Sequence, residues 1–187
     1  MLTVEAAVPH RPSPRMVDTP ASQPILPPRR PMIAVCGSSA EEPTSNALAE
    51  EVGRLLAAHG ATVICGGGPG VMAAACRGAL SAGGVTVGIM AGDTSIDANP
   101  YVQIAVATGI GHARNAIIVQ SADVVIAVGG AYGTLSEIAL ARACGRPVIG
   151  LETWALNDPR HPDTLILATT PAEAVERALR LAEQARS

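Results

Sequence analysis

The sequence predicts a doubly wound α/β domain, a mostly parallel sheet with helices on both faces, and three observations carry that prediction. From Met32 onward, apolar runs of strand length alternate with stretches of helical pattern. The runs are apolar at every position, as in Val124 to Val128, rather than at alternate ones, which is what strands buried on both faces require. Run after run then ends in a glycine turn that opens into a helix, the strand-turn-helix passage of parallel sheets. A length of 187 residues suits one such domain with a full core and is short for two.

Residues 1 to 31 stand apart. They hold eight of the 15 prolines, with Arg11, Arg15, Arg29 and Arg30 among them. Such a segment cannot build secondary-structure hydrogen bonds, so a disordered, weakly basic tail is expected, with partner docking as an alternative use. The domain proper is placed at residues 32 to 187. Its first strand is Met32 to Cys36, followed by the turn Gly37-Ser38-Ser39 and a helix from Thr44 to His59. Ala61 to Cys65 is the second strand, and it opens into Gly66-Gly67-Gly68-Pro69-Gly70. A helix over Val71 to Ala82 follows, Pro69 being suited to a first helical position. Val85 to Ile89 is the third strand, and a polar loop with Asp93, Asp97 and Asn99 leads to a fourth, Val102 to Val106. Through Thr108-Gly109-Ile110-Gly111 the chain enters a helix carrying His112, Arg114 and Asn115.

Val124 to Val128 is the fifth strand, and Gly129-Gly130-Ala131-Tyr132-Gly133-Thr134 leads into the next helix. Val148 to Leu151 and Leu165 to Leu167 read as two more strands, with a surface loop from Trp154 to Pro162 between them. Pro171 to Ala185 is a closing amphipathic helix. In such sheets ligands sit at the carboxyl ends of the strands, where the strand order reverses. The turns at Gly37, Gly66 to Gly70, Gly109 to Gly111 and Gly129 to Gly133 are all expected at those ends, converging on one cleft.

Composition narrows the chemistry. Each of the 13 basic residues is arginine and lysine is absent. That excludes a Schiff base with pyridoxal phosphate and a P-loop, both of which need lysine. A net charge of -3 with 2% aromatic residues argues against nucleic acid as the main partner. The four cysteines show no C-x-x-C spacing and read as free thiols in a reducing cytoplasm. No signal peptide and no apolar run long enough to span a bilayer stands out, so a cytoplasmic protein without membrane contact is expected. No metal-ligand arrangement and no Ser/His/Asp set rises above chance.

Each candidate residue has a plain reading beside its functional one. Gly66 and Gly68 have G-x-G spacing, but Val71 breaks the G-x-G-x-x-G fingerprint, which disfavours a NAD or FAD dehydrogenase. The glycine turns are suited to phosphate, because backbone N–H groups and a helix N-terminus point at an anion there. Glu137 follows Thr134 at the spacing of a capping box, T-x-x-E, so cap and ligand contact are both open. Arg114 stands in the first turn of its helix, where the dipole disfavours a cation; a surface arginine and a fork-like donor to phosphate are its two readings. Asp93 and Asp97 fit turns as well as a site.

The stretch Gly129-Gly130-Ala131-Tyr132-Gly133-Thr134-Leu135-Ser136-Glu137 resembles the P-G-G-x-G-T-x-x-E signature of the LOG (lonely guy) family. Gly66 to Met72 is similar to that family's earlier glycine turn, and Gly111 to Asn115 to its arginine-bearing helix start. The resemblance spans residues 32 to 180. It implies a Rossmann-like fold, a homodimer, and cleavage of the N-glycosidic bond of a nucleoside 5′-monophosphate to base and ribose 5-phosphate. It assigns catalysis to Arg114 and Glu137, and phosphate binding to the glycine turns and Thr134. The lysine decarboxylase label that many relatives carried does not suit a chain without lysine. Val128 in place of the signature proline, and Asn115 where those enzymes carry lysine, look closer to a sister branch that includes molybdenum cofactor carrier proteins.

The main expectation is therefore a phosphoribohydrolase for nucleoside 5′-monophosphates that needs no cofactor. Its carboxylate at Glu137 would stabilise positive charge on the ribosyl carbon or activate water, and Arg114 would steady the departing base or the phosphate. The alternatives are a non-catalytic carrier of a phosphorylated, molybdopterin-type ligand and a nucleotide sensor using the tail. The helices around Ala116 to Val119 and Ile138 to Ala141 carry more adjacent apolar residues than a one-faced helix needs, the sequence's own support for a homodimer.

Overall fold

The structure, a computed structural model, describes residues 29–156 and 158–185. Residues 1 to 28 of the expected tail, and with them any docking role, lie outside the described residues. The elements are β1 (Met32–Gly37), α1 (Pro43–Ala58), β2 (Thr62–Cys65), α2 (Val71–Ser81), β3 (Val85–Met90) and β4 (Ile104–Ala107). There follow a 3-10 turn (Gly111–Ala113), α3 (Arg114–Ser121), β5 (Val124–Val128), α4 (Tyr132–Ala143), β6 (Val148–Leu151), β7 (Ile166–Ala168) and α5 (Pro171–Gln184).

All seven strands join one sheet in the order β4-β3-β2-β1-β5-β6-β7, and each pairing is parallel. The doubly wound Rossmann-like prediction is met. Side-chain alternation along β1 shows why the strands are apolar throughout. Ile33 and Val35 face a core shared with α1, α2 and α5, whereas Ala34 and Cys36 face a second core under α3 and α4. The edges are different. Ile104 and Val106 on β4 and Leu167 on β7 remain exposed, although α5 covers the other face of β7 at Ile166 and Ala168.

On one face α1 and α2 approach backbone to backbone. A Cβ at Gly53 would run into the Ala75 carbonyl, and one at Gly78 into the Glu50 carbonyl. On the other face Ile118, Val119, Ile138 and Ala141 are buried within this chain, while Ala116 is half-buried and Ile117 exposed. Half of the apolar residues expected at a dimer interface are thus buried within the chain itself.

Two local expectations are corrected. Pro69 lies ahead of α2, whose N-cap is Gly70, because the chain must first pass against the Ser38–Ala40 backbone before it can turn into the helix. β4 starts at Ile104 rather than Val102, since the Val102 N–H closes a turn onto the Asn99 carbonyl (3.1 Å).

Candidate ligand-binding site

The strand order reverses between β1 and β5: the chain proceeds outward from β1 through β2 to β4, then returns to start the other half at β5. Loops leaving the carboxyl ends of these two neighbours diverge to opposite faces of the sheet and leave a crevice between them. A cleft of ≈ 210 Å³ opens there, lined by Gly37, Ser38 and Ser39 after β1 and by Ala131, Gly133, Thr134 and Glu137 after β5. The 3-10 turn and start of α3 add His112, Arg114 and Asn115, and α2 adds Met72.

The end of α4 that faces this cleft is uncapped. Its N-cap is Ala131, which offers no side-chain acceptor to the first N–H groups. The capping-box reading of Thr134 and Glu137 is therefore corrected: the helix begins at Tyr132, not through Gly133 and Thr134, which puts both residues inside it. A good cap is worth about 1 kcal/mol, and its absence leaves the helix N–H groups and positive dipole end directed at the cleft.

Among the described residues, five buried side-chain polar atoms lack a hydrogen-bond partner, and three of them belong to this cleft: Arg114 Nε, Arg114 Nη1 and Thr134 Oγ1. Arg114 reaches its position because residue 66 is glycine, since a Cβ there would collide with the guanidinium. Ser38 is buried with its Oγ accepting from the Ala40 N–H (3.0 Å), which leaves its own O–H to donate. Asn115 is buried beside it, 3% exposed.

Glu137 is 7% exposed. Burial pushes its carboxyl up to about 7, against the downward pull of the Arg114 guanidinium and the Cys36 thiol beside it. Arg114 and Glu137 face one cleft without closing an ion pair on each other among the described residues. Raised this far, the carboxyl is protonated in part near neutral pH, and in that form it donates to an anion instead of repelling it. The Cys36 thiol is itself held well above its usual range by burial and by Glu137.

Not every expected residue lines the cleft. Gly66, Gly67, Gly68 and Gly70 lie beneath it, packed against Arg114, Met90, Met72 and the Ser38–Ala40 backbone in turn. Gly129 and Gly130 line a neighbouring cavity with Glu42, Ser45, Glu152, Thr153 and Trp154. Tyr132 is 81% exposed with its ring against Trp154. Asp93 lies near Gly109, outside both cavities. The carboxylates and indole of the second cavity were missed by sequence reading, which placed Trp154 in a surface loop; Glu42 stands far along the chain from Glu152 and Trp154, so no local spacing joins them.

A sequence profile of the SLOG cluster4 family matches residues 30–175. The chain belongs to that family. An uncharacterized protein of Archaeoglobus fulgidus is 41% identical to this SLOG cluster4 chain over 143 residues, 76% of this chain and 91% of the relative. Among solved structures, the molybdenum cofactor binding protein of the phototrophic bacterium Rippkaea orientalis superposes with a TM-score of 0.76 at 36% identity, covering 83% of this chain and 99% of that one. The molybdenum cofactor carrier protein of Chlamydomonas reinhardtii gives a TM-score of 0.71 at 31% identity, again over 83% of this chain and 99% of its own. This SLOG cluster4 protein thus falls in the branch that its departures from the LOG signature resemble.

Proposed function

We propose that this SLOG cluster4 protein binds a phosphorylated, molybdopterin-type ligand at the β1/β5 crevice and carries it without cleaving it. The observation that carries the reading is the convergence of unpartnered donors, Arg114 Nε and Nη1 and Thr134 Oγ1, on an uncapped helix N-terminus. These groups fit a phosphate. Arg114 offers a planar fork, Thr134 and Ser38 offer hydroxyls, and the first N–H groups of α4 complete a cradle. The ligand is cargo here, and what these residues supply is capture of its charged end. Kinship with a molybdenum cofactor binding protein at 36% identity and a molybdenum cofactor carrier protein at 31% supports this reading over hydrolysis.

Hydrolysis of a nucleoside 5′-monophosphate stands as the second reading because of one feature. A buried carboxyl held at about 7 beside an arginine is suited to move a proton to or from a ribosyl bond. One experiment separates the two. The protein is loaded with molybdenum cofactor released from a molybdoenzyme, gel-filtered and assayed for retained pterin by fluorescence; in parallel it is incubated with nucleoside 5′-monophosphates and free base is followed by chromatography. Retention with no base release is expected. Base release by the parent, lost in Glu137→Ala, would overturn the carrier reading.

Two copies pairing through the α3 face around Ile117 is part of the same proposal; light scattering should show a dimer that Ile117→Asp weakens. No described helix is long and apolar enough to cross a membrane.

A further inference from the structure

The cavity beside the cleft is left unused by phosphate binding. It encloses ≈ 370 Å³ and is lined by Glu42, Ser45, Gly130, Glu152, Thr153 and Trp154, with Gly129 at its base. The two spaces share walls through the chain: Ser39 lines one and Glu42 the other, and Ala131 lines one and Gly130 the other. At the partition Gly130 adopts φ 120°, where a side chain is strained, and a Cβ there would run into Thr134. The Thr134 hydroxyl, 1% exposed and unpartnered, therefore abuts the junction.

The cleft alone, at ≈ 210 Å³, falls below the roughly 300–1,000 Å³ of sites that hold a whole small molecule. It accommodates a phosphate and the atoms next to it. The remainder of a ligand anchored there must leave the cleft, and the acidic cavity is its neighbour.

We propose that this cavity receives the flat heterocycle of the ligand whose phosphate sits in the cleft, and that Glu42 and Glu152 read a 2-amino-4-oxopyrimidine edge, the edge shared by pterins and guanine. This rests on the phosphate reading of the cleft and adds its ligand's second half. Neither carboxylate is in an ion pair among the described residues; Glu42 accepts a hydrogen bond from the Ser45 hydroxyl (3.3 Å). Each keeps lone pairs for a ligand, and an N–H next to an NH₂ offers parallel donors matched to the two oxygens of one carboxylate. An adenine edge lacks that pair of donors.

Trp154 supplies the apolar wall. Its indole N–H donates to the Ala131 carbonyl (3.3 Å), and its ring meets Tyr132 at 5.7 Å between centroids with a 44° tilt. The Thr153 hydroxyl donates to the Gly129 carbonyl, tying the same loop down from the other side. The indole is thereby oriented before a ligand arrives, so stacking a flat ring on it orders little that was free. Opposite polarity in the two spaces, donors in one and acceptors in the other, sets the direction in which the ligand lies.

The test uses the full chain and calorimetric titration with inorganic phosphate, GMP, IMP and neopterin monophosphate. GMP and IMP differ by the 2-amino group alone. The parent is expected to bind GMP about tenfold tighter than IMP, the effect of one hydrogen bond to a charged group. Glu42→Gln and Glu152→Gln should each shrink that preference, and the double variant should abolish it, with affinity for inorganic phosphate unchanged within about twofold. Trp154→Leu should weaken GMP and IMP alike by roughly tenfold through lost stacking. Neopterin monophosphate binding tighter than GMP assigns the edge to a pterin, and the reverse order assigns it to a purine nucleotide; both uphold the recognition. Equal GMP and IMP affinities, or a preference that survives in the double variant, would overturn it while phosphate still binds. Failure of the parent to bind phosphate would overturn the cleft reading itself, and this inference with it.

Discussion

Replacing Glu137 by glutamine should make the protein more stable above neutral pH. The carboxyl is 7% exposed and its folded-state pKa stands at about 7, against 4.5 for a free glutamate. A shift of roughly 2.5 units corresponds to about 3 kcal/mol of preference for the protonated form in the folded protein. The sign follows from the raised value. Below the unfolded pKa both states are protonated and nothing is lost; between the unfolded and folded values the unfolded chain ionises while the buried carboxyl keeps its proton, so stability falls and levels off only above about pH 7, once the folded group ionises too. Glutamine mimics the protonated group at every pH. The gap between variant and parent should open by about 2.5 kcal/mol between pH 5 and pH 8.5, or roughly 5–10 °C in melting temperature for a domain of this size. Urea or thermal denaturation at the two pH values measures it. A variant equal to or less stable than the parent at pH 8.5, or a gap that does not change with pH, would refute the claim that burial outweighs the pull of Arg114. Phosphate bound in the cleft should push Glu137 further up, so binding should take up protons near pH 7 in the parent and not in the variant.

The same site yields further outcomes. Arg114→Ala should weaken inorganic phosphate binding at least tenfold and raise the Glu137 pKa further, visible as a shifted stability profile. Gly66→Ala should reproduce the affinity loss without touching the arginine, since its Cβ displaces the guanidinium; unaltered affinity by titration would show that Arg114 does not need its present seat. In the α1–α2 crossing, Gly78→Leu should cost about 3 kcal/mol in urea denaturation, although an ordinary helix glycine gains about 1 kcal/mol when replaced. Of the four thiols, Cys144 is exposed and Cys36, Cys65 and Cys76 are buried, so a thiol reagent should label one site in the native protein and all four after unfolding.

The run Val124 to Val128 shows how far local pattern reaches. Five consecutive apolar residues exclude a strand with a wet face, and two glycines after them exclude its continuation, so a central parallel strand with a turn at its carboxyl end could be read directly. The same holds for β1, β2 and β6, and for the glycine turns at the carboxyl ends of the strands. Patterns of this kind are local, because strand burial and turn geometry are set by neighbouring residues. Edge strands were less legible. Val102 has strand composition, yet a hydrogen bond to Asn99 decides that the chain is still turning there.

What the sequence determined by itself is the alternation of elements, the edge of the sheet at which the glycine turns gather, and the arginine and glutamate proposed to act there, because each is written within a few residues. What only the tertiary structure decided is the condition of those groups. Thr134 and Glu137 have the spacing of a cap, and it is the docking of α4 behind β5 that starts the helix at Tyr132 and buries the carboxyl under Arg114 beside Cys36. Glu42, Glu152 and Trp154 are drawn to one cavity because β6 pairs with β5 while β1 lies on its other side. Burial and long-range adjacency depend on which strands become neighbours, and no local spacing encodes that choice.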